Sequence, residues 1–194
     1  MPQPPLILAS SSPYRRELLA RLNIPFTCEN PDIDESQNTG ETTVDLVRRL
    51  ATQKARRVAD KHPAAIIIGA DQVAMSGKEI LAKPGNHASA LQQLQQLGGK
   101  TVLFYTGLCV LNAASHNLQV DCITINVTFR SLDLDAINRY LLVEKPYNCA
   151  GSFKSEGYGI TLIEKIQGHD MTALVGLPLI RLCAMLREEK YQLP

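Results

Sequence analysis

Apolar and polar positions alternate along this chain in two periods, and the switches between them mark its elements. "PLILA" (5–9) is a continuous apolar run of the length expected for a buried strand. Ser12 is a natural helix cap and Pro13 suits the first helical position; Leu18, Leu19 and Leu22 then give that helix one apolar face as far as Asn23. "FTCE" predicts a second strand, and "NPDIDESQNTGE" a long polar loop, acidic at its centre. Thr42 and Asp45 have the spacing of a capping box. Val47, Leu50, Ala51, Ala55 and Val58 recur at helical spacing over about Thr43 to Lys61.

"AAIIIGADQVA" is the most strand-like stretch, and Ser76-Gly77 supplies a turn back into "KEILA". Asn86 caps a predicted helix that stops at Gly98-Gly99, with Leu91, Leu94 and Leu97 on one side. Two long strands follow, "TVLFYTGLCVLNA" and "LQVDCITINVTFR", joined across "ASHN". A helix near Leu134 to Val143, the Gly-rich loop "NCAGSFKSEGYG", a strand "ITLIEKI" and a helix from about Pro178 to Glu189 complete the order. Leu179, Leu182, Cys183 and Leu186 form the apolar face of that last helix. Helices and strands interleave, but the long central pair reads as an antiparallel hairpin, so the expected class is α/β with a mixed sheet.

At 194 residues the chain suits one domain, 1–194, built as two lobes. A domain of this size buries roughly 70% of its unfolded surface and needs no staples. Twenty basic residues oppose nineteen acidic ones, a formal charge of +1, so no broad basic field points to nucleic acid or to an anionic membrane. "MPQPPLILAS" lacks the basic start of a signal peptide, and "AAIIIGA" is far short of the ~20 residues that cross a bilayer, which predicts a cytoplasmic protein. Cys28, Cys109, Cys122, Cys149 and Cys183 are odd in number and scattered, and are read as buried reduced thiols.

Several motifs fail on inspection. "LGGKT" has the tail of a phosphate-binding loop, but Leu94 stands where its first glycine belongs, and the context runs from helix into strand. His62, His87, His116 and His169 have no zinc-ligand spacing, and no GxSxG, GxGxxG or HExxH occurs.

What remains is charge in places that resist it. Two arginines, Arg15 and Arg16, follow the cap Ser12 at a helix start that is already positive. Lys54 interrupts an apolar stripe, so it either snorkels to the edge or meets an anion. Asp71 follows "IIIGA" at the carboxyl end of a buried strand, where open α/β sheets place ligand-handling groups; an Asx turn is the other reading. Glu35 in "DIDE" is either a solvated loop charge or an oxygen ligand, and Lys83 sits on a stiff Lys-Pro dipeptide. Carboxylates gathered with lysines and a helix start suit a polyphosphate and a hard divalent cation. Such a site requires Arg15, Glu35, Lys54, Asp71 and Lys83 to line one groove.

In these same residues, and through "LASSSPYRRELL", "DIDE", "QKA", "GADQV", "KP", "FYTGL", "AGSFKSEGYG" and "VGLPL", the chain resembles the Maf family of nucleoside triphosphate pyrophosphatases over essentially its whole length. Within that family it is most similar to the subgroup acting on 7-methyl-GTP, on the aromatic after Ser-Pro, the Gln after Asp71, and "SFKSEG". The resemblance implies a Maf/ITPase-like fold, an elongated mixed β-sheet flanked by helices with two lobes around a cleft. It implies cleavage between the α and β phosphates of a nucleoside triphosphate, a house-cleaning role against modified nucleotides. The implied cofactor is a divalent cation, Mg²⁺, Mn²⁺ or Co²⁺. Members are often dimeric, which makes a homodimer one expected assembly.

By motif, Ser12 and Arg15 match the family's SxxR, Glu35 its acidic loop residue, Lys54 its helix lysine, Asp71 its proposed proton acceptor and Lys83 its second lysine. Tyr14, Gln72 and Glu156 fall at specificity positions. Glu35 and Asp71 are the candidate metal ligands, and Asp71 is either the base or a ligand of the metal that acidifies the water. Two other functions are carried beside this one: a pyrophosphatase for dTTP or UTP, and a non-catalytic nucleotide-binding regulator of septum formation, after the family's older name.

Overall fold

The computed structural model describes residues 3–193. It is α/β, with the elements in the order the hydropathy pattern gives: β1 (Leu6–Ala9), α1 (Pro13–Ala20), β2 (Thr27–Glu29), α2 (Thr43–Ala59), β3 (Ile66–Ser76), β4 (Glu79–Leu81), α3 (His87–Leu97), β5 (Thr101–Asn112), β6 (Asn117–Phe129), α4 (Leu134–Glu144), β7 (Ile163–Gln167) and α5 (Leu179–Glu188). The sheet order is β2-β1-β3-β5-β6-β7, with β4 branching from β3. It is mixed as expected, since β1 pairs parallel with β2 and β3 while β4 and β7 pair antiparallel with β3 and β6.

Two compact units divide the chain. Of the described residues, the first holds 3–72, 105–123 and 170–193, the second 73–104 and 124–169. In the first, alternation along the strands sorts side chains to two faces. Leu6, Leu8, Ile66, Ile68, Ala70, Leu108 and Val110 meet Leu18 and Leu19 of α1 and Leu182, Met185 and Leu186 of α5. Ile7, Ala9, Ile67, Cys109 and Leu111 meet Ala51, Ala55 and Val58 of α2. α2 lies so close to the sheet that a Cβ on Gly69 or Gly107 would strike the Ala51 or Val47 carbonyl. Glycine at both positions is therefore what admits the helix.

In the second unit Phe153 packs between Phe104 and Phe129, with ring centroids 6.1 and 5.3 Å away. Buried Leu94 and Leu97 of α3 and Ile137, Tyr140 and Leu141 of α4 close this core.

The caps behave as the sequence indicates. Ser12, Thr42 and Asn86 each accept from the amide three residues on. The Thr42 hydroxyl donates in turn to the Asp45 carboxylate at 2.6 Å.

Some expectations need correction. "ITLIEKI" is only partly strand: Tyr158–Leu162 is a 3-10 turn and β7 begins at Ile163. Further 3-10 turns occupy Ala150–Ser152 and Met171–Val175. Short turns of this kind carry no periodicity to betray them. On α3 Ala90 is buried with Leu94 and Leu97 while Leu91 is half-buried, and on α5 Met185 is buried while Cys183 is half-buried. The cysteines are not uniformly buried: Cys109 is buried and its thiol is pushed up to about 12 by desolvation, whereas Cys28 is exposed and Cys122, Cys149 and Cys183 are half-buried.

Candidate active site

β3 and α2 build the centre of the site. Successive β3 residues point to opposite faces, so Asp71 continues the row of Ile67 and Gly69 toward α2, and Gln72 continues the row of Ile68 and Ala70 away from it. Lys54 is on α2 one turn beyond Leu50 and Ala51, and the closeness granted by Gly69 brings its ammonium to the strand end. Lys54 Nζ donates to Asp71 Oδ1 at 2.7 Å, and both residues are buried. The same nitrogen is 2.5 Å from Glu35 Oε1, although the Glu35 side chain is 59% exposed. Lys54 does not snorkel: it meets two anions.

Glu35 belongs to the polar loop before α2, and the loop is held by a residue the sequence reading passed over. Arg49 grips Glu41 with a bidentate pair, Nε to Oε1 at 2.6 Å and Nη2 to Oε2 at 2.7 Å, and Nη2 also donates to the Ser36 carbonyl at 2.9 Å. The Asn38 amide adds a bond to Glu41 Oε2 at 3.0 Å. Fork-to-fork geometry makes this a strong pair, and the hydrogen bond from Arg49 holds the Glu41 carboxyl down to about 2. The signal available in the sequence was only a Glu and an Arg eight apart across a helix start.

Arg15, three residues after its cap, resolves the oddity of a cation in a first turn. Its Nε donates to the Gly176 carbonyl at 2.9 Å and its Nη1 reaches the Ser10 hydroxyl at 3.5 Å. Burial lowers the affinity of the guanidinium for its proton, while the charges of Asp71 and Glu35 pull it back up. These two carboxylates are thus the anions whose field acts on Arg15. Ser12 seats the turn by accepting from the Arg15 amide at 3.4 Å, and the Ser12 amide donates to Ser10 Oγ at 3.1 Å.

Ser12, Arg15, Glu35, Lys54 and Asp71 therefore converge within the first unit. Gln72 is there too, with its amide nitrogen committed: it donates to Thr106 Oγ1, the Ala173 carbonyl and the Leu174 carbonyl at 3.0, 2.8 and 3.1 Å. The fully buried Thr106, another residue the sequence reading omitted, donates to the same Ala173 carbonyl at 2.8 Å. Tyr14 is half-buried at the second position of α1. Lys83 and Glu156 lie in the second unit and are exposed. The Ala82 carbonyl beside Lys83 accepts from Gln93 Nε2 at 3.1 Å, and Ser155 Oγ donates to Glu156 Oε2 at 3.3 Å.

Among the described residues no three His, Cys, Asp or Glu side chains gather as a metal cluster. Glu35 and Asp71, joined through Lys54, provide two carboxylates, a donor set suited to a cation that completes its shell with water and phosphate oxygens. No helix among these residues is long and apolar enough to cross a membrane.

The chain is similar to known proteins over nearly its full length. A protein of Pseudomonas fluorescens strain Pf0-1 named 7-methyl-GTP pyrophosphatase is 53% identical over 190 residues, covering 98% of this chain and 99% of its own. One of the same name from Pseudomonas aeruginosa is 53% identical over 191 residues, 98% of this chain and all of its own, and one from Alcanivorax borkumensis 51% over 191 residues, 98% and 97%. The family profile described as Maf-like protein matches residues 5–189, and the chain belongs to the Maf-like protein family.

Proposed function

We propose that this chain is a nucleoside triphosphate pyrophosphatase that hydrolyses the bond between the α and β phosphates of 7-methyl-GTP, releasing 7-methyl-GMP and pyrophosphate. The observation that carries the reading is the ammonium of Lys54 shared by Asp71 and Glu35 beside the guanidinium of Arg15. The relatives named for this activity, similar over nearly the full length, supply the substrate. The proposed setting is the cytoplasm, where the reaction removes modified nucleotides.

Asp71 accepts a proton from the attacking water as the bond between phosphorus and the bridging oxygen breaks. Arg15 and Lys54 offset the charge that gathers on the phosphate oxygens, the dominant contribution in phosphoryl transfer. With Asp71 as the base, Glu35 would hold a divalent cation, Mg²⁺, Mn²⁺ or Co²⁺, beside it. When bound, that cation neutralises phosphate charge and lowers the pKa of water. In the second unit, Lys83 is assigned to phosphate oxygens and Glu156 to the N–H edge of guanine. Methylation at N7 makes the base cationic, so the Tyr14 ring gains about 0.5–2 kcal/mol on stacking against it.

Pyrophosphate release measured with 7-methyl-GTP, GTP, UTP and dTTP, each with and without the three cations, tests the proposal. The methylated nucleotide is expected to react fastest, and Asp71→Asn to release none while keeping a native circular dichroism spectrum. Equal rates on all four nucleotides overturn the substrate assignment; normal turnover by Asp71→Asn overturns the role of Asp71.

A further inference from the structure

Glu144 is the last residue of α4, and the negative end of a helix is a poor place for a carboxylate. Its side chain is only 11% exposed. Both oxygens are nonetheless occupied: Oε1 accepts from Lys154 Nζ at 2.7 Å and Oε2 from the Tyr158 amide at 2.6 Å. Burial raises the affinity of this carboxyl for a proton, but the bonds from Lys154 and from the Tyr158 amide outweigh it and hold the group below its ordinary range.

The two partners flank Ser155, Glu156 and Gly157, so a single carboxylate closes both feet of the arch that carries Glu156. One turn earlier on the same helix face, the buried Tyr140 hydroxyl accepts from the Lys154 amide at 3.2 Å and donates to the Ser152 carbonyl at 3.2 Å. At the arch itself, a Cβ on Gly157 would collide with the Glu144 carboxylate. The glycine leaves the space into which that group fits.

We propose that Glu144 is a specificity-positioning residue: by clasping Lys154 and Tyr158 it fixes the arch 155–157 and thereby the direction in which Glu156 presents its carboxylate to the guanine edge. The inference rests on the reading of Glu156 given above, and it adds a residue that touches no substrate. A hydrogen-bonding group that must meet a base edge discriminates only if it is held still, because a displacement of about 1 Å at such a contact costs up to about a hundredfold. Gly157→Ala acts on the same clasp from the other side.

The test is the ratio of kcat/KM for 7-methyl-GTP to that for UTP, which has no guanine edge, in Glu144→Ala, Glu144→Gln, Gly157→Ala and Glu144→Ala/Gly157→Ala. The ratio is expected to fall about tenfold or more in Glu144→Ala and Gly157→Ala, through KM, with UTP turnover kept. Glu144→Gln, which keeps an acceptor for the Tyr158 amide, falls less; the double variant falls no further than either single one. If Glu144→Ala fails to fold, Glu144→Gln and Gly157→Ala decide the matter. An equal loss on both nucleotides overturns the inference by reducing Glu144 to a structural role, as does an unchanged ratio. Glu156→Gln separates the two levels. If it leaves the ratio intact, the Glu156 reading and the inference fall together; if it collapses the ratio while the Glu144 and Gly157 variants do not, only the inference falls.

Discussion

Lys54 is the charge on which its neighbours depend. Replacing it with methionine keeps the length of the stem and removes the cation shared by Asp71 and Glu35, leaving Asp71, 7% exposed, without it. Stripping one side of a buried pair costs about 3–5 kcal/mol, and the field of Arg15 offsets part of this, so a loss of about 3 kcal/mol is expected for Lys54→Met together with lost pyrophosphate release. Asp71→Asn retains the Lys54–Glu35 pair and is expected to melt closer to the unaltered protein. Thermal melts of the two variants, compared side by side, check the order. Both residues were legible in the sequence because a charge on an apolar stripe or behind an apolar run breaks a pattern. Arg49 was not, because it lies among Arg48, Arg56 and Arg57 on one helix, and only the path of the loop singles it out.

At the scale of elements, α2 carries the most consequence. Its approach to β3 and β5 leaves no room at Gly69 or Gly107. Gly107→Ala is expected to lower stability by about 1–3 kcal/mol through overpacking, seen as a lower midpoint in urea without a change in slope. The loop ahead of α2 answers to pH. Arg49 holds the Glu41 carboxyl at about 2 against an ordinary 4.5, so the folded state favours the ionised form. Its contribution is complete above about pH 4.5, declines as the pH falls, and is gone below about 2. Arg49→Gln is expected to flatten that part of the acid-stability curve, measured by urea unfolding across the same range. The order of helices and strands was readable from period alone, since amphipathic helices and apolar strands are long enough to repeat their signal. The 3-10 turns at 150–152, 158–162 and 171–175 were not; the first two frame Glu156, and the third supplies the carbonyls that bind Gln72.

For the molecule as a whole, ligand and stability are linked. A nucleotide bound only by the folded state at a hundredfold excess over its Kd adds about 2.7 kcal/mol, or about 5–10 °C in melting temperature for a chain of this length. An α,β-methylene analogue of 7-methyl-GTP with Mg²⁺ is expected to give such a shift by calorimetry, and Glu35→Gln/Asp71→Asn to lose the part that depends on the cation. Chain connectivity was the least legible level: strands β3, β5 and β6 each pass from one unit into the other, so neither unit is a continuous piece of sequence.

The hydrogen bond from Arg15 to the Gly176 carbonyl joins residues 161 positions apart. During translation the ribosome must therefore add some eight-score amino acids, roughly ten to thirty seconds of elongation, before that guanidinium acquires its acceptor. Until then Arg15 lacks this anchor, so the arrangement around it is completed late in biosynthesis.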